Sequence, residues 1–171
     1  MTGLFMTFKP LAIAGTAAIA LASITAAAPA VAQTRYGQKI AHDPARCDGS
    51  TPGVWVTISG IKESKGKLRI QSYRATDADW LEKGRWLTRI ESPAKAGTMK
   101  FCMPIAEPGT YGIAVRHDIN GNGKTDIFAD GGAMSNNPSL NIFNLGKPSY
   151  KKVGFQVGSN VESISIQMRY R

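Results

Sequence analysis

Residues 53–171 predict an all-β domain, an antiparallel two-sheet sandwich of about seven short strands packed in the immunoglobulin-like manner. Three observations point there. Short apolar runs recur with period two, which places one side-chain set against a core and the other toward water. Glycine, proline and asparagine punctuate these runs, with 18 Gly and 9 Pro in 171 residues. No long amphipathic helical pattern is present to cover a parallel sheet.

The chain opens with a different kind of segment. Lys9 is the only charge before an apolar run from Leu11 to about Ala28, which closes on Ala28-Pro29-Ala30-Val31-Ala32 and then polar Gln33-Thr34-Arg35. A positive start, an apolar middle and small residues at a cleavage point are the features of a secretory signal, read here as residues 1–32. An uncleaved anchor is the competing reading, because about eighteen apolar residues just span a bilayer. The many alanines and the cleavage site favour removal, leaving no transmembrane segment and a periplasmic or secreted protein. Residues 33–52 lack periodicity and read as an irregular arm.

The strands follow in order. Val54, Val56 and Ile58 alternate with Trp55, Thr57 and Ser59; Leu68, Ile70 and Ser72 alternate with Arg69 and Gln71. Residues 77–89, with Trp80, Leu81 and Trp86, fit a helical turn or a broad loop entering a strand. Met99, Phe101 and Met103 alternate up to Pro104, and Tyr111, Ile113 and Val115 follow the turn pair Pro108-Gly109. Val153, Phe155 and Val157 read as another strand, and Val161 to Met168 as the last.

Removing 32 of 171 residues leaves 139, and removing Lys9 lowers the formal charge from +9 to +8. A basic domain outside the cytoplasm meets anionic envelope polymers or envelope proteins rather than nucleic acid. Its basic residues are scattered, as at Lys62, Lys65, Lys67, Lys147, Lys151 and Lys152, in the manner of a solvated surface. Nothing demands more than a monomer. The two cysteines, Cys47 and Cys102, suit a disulfide in an oxidising compartment, with two separate buried thiols as the alternative.

One loop carries a chemical pattern. Counting Asp118 as position 1, side-chain oxygens fall at 1, 3, 5 and 9 (Asp118, Asn120, Asn122, Asp126), Gly123 falls at 6, and Lys124 at 7 offers its carbonyl. This is most of an EF-hand-type calcium loop, because calcium takes six to eight hard oxygens at about 2.4 Å and alternate residues of a curled loop point inward. The usual bidentate Glu at position 12 is replaced by Ala129, with Asp130 one residue later. Any calcium bound there is expected to bind weakly, at roughly 0.1–1 mM. The competing reading is a metal-free set of turns, since Asn-Gly pairs and Asx-turns form without a cation.

The string His117-Asp118-Ile119-Asn120-Gly121-Asn122-Gly123-Lys124-Thr125-Asp126 resembles the signature of DUF2141, a family of uncharacterised exported bacterial proteins. Gly109-Thr110-Tyr111, Ser135-Asn136-Asn137, Pro148-Ser149-Tyr150 and an ending of alternating isoleucines closing on Tyr170 fit it in the same order, over roughly residues 53–171. The resemblance implies a prealbumin-like or CnaB-like sandwich in the bacterial envelope, with no established activity. The chain departs from the family's pattern between Phe128 and Met134, where Ala129-Asp130-Gly131-Gly132-Ala133 replaces a Pro-Glu-Gly-like stretch.

No catalytic constellation emerges, and a non-enzymatic module is expected. Two histidines, His42 and His117, cannot make a three-nitrogen metal site. No Gly-x-Ser-x-Gly elbow is present, and Arg169-Tyr170-Arg171 lacks the Tyr-Arg-Gly-Ser ending of the hydroxyisourate hydrolases that share the prealbumin fold. The alternative to a calcium-stabilised module is a protein that holds a glycan or anionic ligand with Trp55, Trp80, Trp86 and its basic surface.

Overall fold

A computed structural model of the chain describes residues 1–3, 34–126, 128–139 and 146–171. The chain divides by its internal packing into two units, Met1–Ala32 and Gln33–Arg171. Residues 4–32 of the expected signal segment lie outside the described residues, and every strand and helical turn of the described residues belongs to the second unit. Among the described residues, no helix is long and apolar enough to cross a membrane.

The described residues form nine strands: β1 (Gln38–Ile40), β2 (Gly53–Ile61), β3 (Lys67–Arg74), β4 (Thr88–Pro93), β5 (Gly97–Pro104), β6 (Gly109–Asp118), β7 (Gly131–Met134), β8 (Phe155–Val157) and β9 (Val161–Gln167). A short 3-10 turn spans Pro44–Cys47, and one helical turn, α1, spans Tyr150–Val153. The strands make two sheets, as the alternation predicts. One runs β1-β4-β3-β6-β7, with β8 also paired to β6, and the other runs β5-β2-β9. Both sheets are mixed: β1 lies parallel to β4 and β2 parallel to β9, while every other pairing is antiparallel.

Between the sheets lies the core that the period-two pattern specifies. Val54, Val56 and Ile58 of β2, with Phe101 and Met103 of β5 and Ile166 of β9, face Leu68 and Ile70 of β3, Ile90 of β4, and Ile113 and Val115 of β6. Burying such side chains gives about 1.5–3 kcal/mol each relative to exposure, the main term opposing chain entropy. The outer face of the larger sheet carries a second cluster, in which Tyr73, Trp80, Met134 and Val153 pack together.

Two features depart from the sequence expectation, while the expected disulfide is present. The arm over 33–52 is not wholly irregular: β1 joins it to β4 of the larger sheet, and Cys47 joins it to β5 of the smaller one. The Cys47–Cys102 disulfide is formed, with Cα atoms 5.8 Å apart. Val153 does not begin a strand, because Ser149 caps α1 and the chain turns through it before β8 starts at Phe155.

The Ser135-Asn136-Asn137 motif is a clasp. Ser135 Oγ donates to Val153 O and accepts the Ile113 N–H, at 2.7 and 3.0 Å. Asn136 Nδ2 donates to Gly154 O. Asn137 donates to Ser165 O and accepts the Gln167 N–H, satisfying groups along the free edge of β9 that would otherwise invite another strand.

Candidate functional site

Strand β6 delivers Asp118 to the mouth of the loop that returns at Gly131. Gly121 and Gly123 adopt φ of +70° and +77°, left-handed conformations that side chains disfavour, so the glycines permit the curl. Asn120 Oδ1 accepts the Asn122 N–H at 3.0 Å, and Asn122 Oδ1 accepts the Lys124 N–H at 2.7 Å. These are two successive Asx-turns. The side-chain amides of Asn120 and Asn122 both donate to Asp126 Oδ2, at 2.6 and 2.8 Å. Asp118 Oδ2 accepts the Gly123 N–H at 2.8 Å. The loop therefore gathers Asn120 and Asn122 directly around Asp126 and ties Asp118 to the same turn.

The other oxygen of Asp118 is the anomaly. The residue is only 4% exposed, and its Oδ1 is buried with no hydrogen-bond partner among the described residues. Such an orphan oxygen carries a desolvation cost of about 1–3 kcal/mol or more. Arg116 supplies partial compensation, with a guanidinium nitrogen 3.4 Å from Oδ2 while its other bonds go to Thr125 Oγ1 and Gly123 O. Among the described residues no three His, Cys, Asp or Glu side chains form a group able to hold a metal. A cation here would depend on asparagine and backbone oxygens besides the carboxylates of Asp118 and Asp126.

Asp130 has a role that position counting does not reveal. Its Oδ1 accepts the Ile119 N–H at 3.1 Å and its Oδ2 the Asp126 N–H at 3.0 Å. It staples the two ends of the loop, whereas Ala129, at the twelfth position, is exposed. The available signal was a carboxylate directly before Gly131-Gly132, at the entry to a strand.

His117, one residue before Asp118, points into the sandwich and is fully buried. Its Nε2 lies 2.7 Å from Lys65 O, an acceptor, so Nε2 carries the proton. Its Nδ1 then accepts the Tyr170 hydroxyl at 2.8 Å, and that hydroxyl accepts the Lys62 N–H at 3.1 Å. The chain Lys62–Tyr170–His117–Lys65 locks the C-terminus onto the β2–β3 connection. Gly131 makes room for it, since a Cβ there would stand 2.4 Å from the Tyr170 ring. His42 is likewise engaged, accepting the Cys102 N–H and standing edge-on to Phe101.

Burial foremost raises the hydroxyls of Tyr73, Tyr111 and Tyr170 above the ordinary value of 10.0. A group with a raised folded value contributes stability that is complete below its unfolded value and lost as pH rises through the folded one. The melting temperature should therefore fall steeply above about pH 10, and a flat melting profile to about pH 11.5 would contradict this reading of the three rings.

The three tryptophans do not form one platform. Trp80 is corrected from a candidate binding residue to a core residue: it is 2% exposed, packed edge-on against Tyr73, with its Nε1 donating to Pro148 O at 2.9 Å. The alternation cannot reveal this, because residues 77–81 form a turn folded back onto the outer face of the larger sheet. Trp55 does face outward from β2, half-buried, with the Lys100 ammonium 4.4 Å from its ring centre. Trp86 belongs to the other sheet's outer cluster, with the Arg89 guanidinium 4.1 Å from its ring centre.

A family model described as an uncharacterized protein conserved in bacteria (DUF2141) matches residues 56–165, which takes in strands β3 to β8 and the whole 118–126 loop. No curated protein and no solved structure matches the chain.

Proposed function

The chain belongs to the DUF2141 family of uncharacterised bacterial proteins, and from that premise we propose a non-enzymatic, exported module of the cell envelope whose 118–126 loop takes one calcium ion weakly. The observation that carries this reading is the buried Oδ1 of Asp118, without a partner among the described residues, at the head of a loop rich in oxygen donors. Asp118, Asn120, Asn122 and Asp126 would hold the ion with their side-chain oxygens, and Lys124 with its carbonyl. Calcium would neutralise the two carboxylates and fasten the β6–β7 turn. Each asparagine has to turn its amide, so that oxygen replaces the N–H now given to Asp126. That reorganisation, together with the Arg116 charge beside Asp118, keeps the affinity low.

The disulfide supports an oxidising compartment, where structural bridges persist. Both histidines hold structural hydrogen bonds, which leaves neither free to act as a base beside a nucleophile. The basic surface suits a monomer that meets an anionic envelope polymer or another envelope protein.

Thermal melts in calcium and in chelator test the metal reading. For a dissociation constant of roughly 0.1–1 mM, 10 mM calcium adds about 1.4–2.7 kcal/mol to stability, a rise of roughly 4–10 °C. Asp118→Asn should abolish most of that shift. An unchanged melting temperature up to about 10 mM calcium would leave the loop as a set of turns.

A further inference from the structure

We propose that the outer face of the six-stranded sheet carries a pocket for a small amphipathic anion, with Arg69 and Arg116 holding the anionic head and Gly132 opening the floor to its apolar body. The anion's chemistry is a carboxylate or a phosphate monoester on a short apolar chain. The site adjoins the 118–126 loop, since Arg116 bonds Asp118, Gly123 and Thr125, but it does not depend on a bound cation.

The first observation is a charge conflict. Arg69 of β3 and Arg116 of β6 are direct cross-strand partners. Like charges placed opposite one another on paired strands destabilise the sheet. Both side chains are largely buried, at 22% and 17% exposure, which sharpens the conflict. The carboxylates on hand satisfy only part of each guanidinium. Arg69 gives its Nε to Glu91 at 2.7 Å, and its terminal nitrogens have no partner among the described residues. Arg116 Nε is buried with no partner among the described residues, while its terminal nitrogens bond Thr125, Asp118 and Gly123. Adjacent unsatisfied arginine donors are a natural oxyanion receptor, because planar guanidinium groups match carboxylate and phosphate oxygens.

The second observation is shape. The cross-strand partner of Arg116 on its other side is Gly132, where an added Cβ would meet nothing within 4 Å. The sheet is thereby open into a pocket of about 590 Å³ that Arg69, Arg116 and Arg169 line together with apolar Leu81, Ala114 and Met134. Asp126 and Asp130 also face it. Their oxygens already accept from Asn120, Asn122 and the backbone N–H groups of Ile119 and Asp126. An apolar floor with convergent charged groups at one side is the usual composition of a small-molecule site.

Isothermal titration of the folded protein in chelator, with octyl phosphate and with octanoate below their micellar concentrations, tests the proposal. At least one should bind with a dissociation constant of tens of micromolar, and inorganic phosphate should bind at least about tenfold more weakly. Arg69→Gln should weaken binding about tenfold or more, as expected for a lost charged hydrogen-bond donor. Gly132→Leu should abolish binding by filling the floor, at a nearly unchanged melting temperature. Which of the two amphiphiles binds distinguishes the phosphate from the carboxylate head. No binding by either up to about 1 mM, equal affinity for inorganic phosphate, or affinities unmoved in both variants would overturn it.

Discussion

Reducing the Cys47–Cys102 bridge is expected to lower stability by about 4 kcal/mol, from the closure entropy of a loop of 55 residues. The geometry gives that loss a location. Strand β1 pairs with β4 in the larger sheet, while Cys47 is bonded to β5 in the smaller one, so the arm runs from one sheet to the other across the sandwich. Once the bridge is cut, the arm keeps the short β1 ladder and the hydrogen bond from the Cys102 N–H to His42. Urea unfolding with and without a phosphine reductant measures the difference, and Cys47→Ser with Cys102→Ser provides the genetic counterpart. A loss below about 1 kcal/mol would mean that the arm docks independently of the covalent link.

The second large effect is expected at Trp80. Trp80→Ala should cost about 3–5 kcal/mol, the range for deleting a large buried aromatic, whereas Trp55→Ala should cost no more than about 1 kcal/mol. Trp80 fills the space above Gly112 so closely that a Cβ on that glycine would lie 2.7 Å from the indole. Removing the ring empties this space, frees one face of Tyr73 and leaves Pro148 O without its donor. Gly112→Ala should reproduce part of the loss from the other side of the contact. Chemical denaturation of the parent and the three variants separates the cases. Equal costs for the Trp80 and Trp55 variants would refute the core assignment.

Much of the fold is legible in the sequence because a half-buried strand writes its two faces into alternate residues. Val54, Val56 and Ile58, and Ile113 and Val115, mark their strands by that rule. Strands β1 and β7 escape it. β1 is three residues at a sheet edge, and β7 begins with two glycines that have no side chain to alternate. Val153 misleads for the opposite reason: an apolar residue at the right spacing belongs to a helical turn and packs against Trp80 on the outer cluster.

At the candidate site, local spacing finds the loop and misses its staple. Asp118, Asn120, Asn122 and Asp126 are near neighbours, and the spacing that curls the loop also gathers both asparagine amides around Asp126 and ties Asp118 to Gly123. Asp130 acts by bonding Ile119, eleven residues earlier, and Arg69 meets Arg116 only because β3 pairs with β6 in that register. The sequence by itself determined the sandwich class, the core faces, the cysteine pair and the metal-like loop. The tertiary structure decided what depends on separated segments meeting: the parallel β2–β9 pairing, the burial of Trp80 over Gly112, and the arginine pair beside Gly132. Period and spacing are local properties of a chain, whereas register and burial are set only when distant strands compete for the same partners.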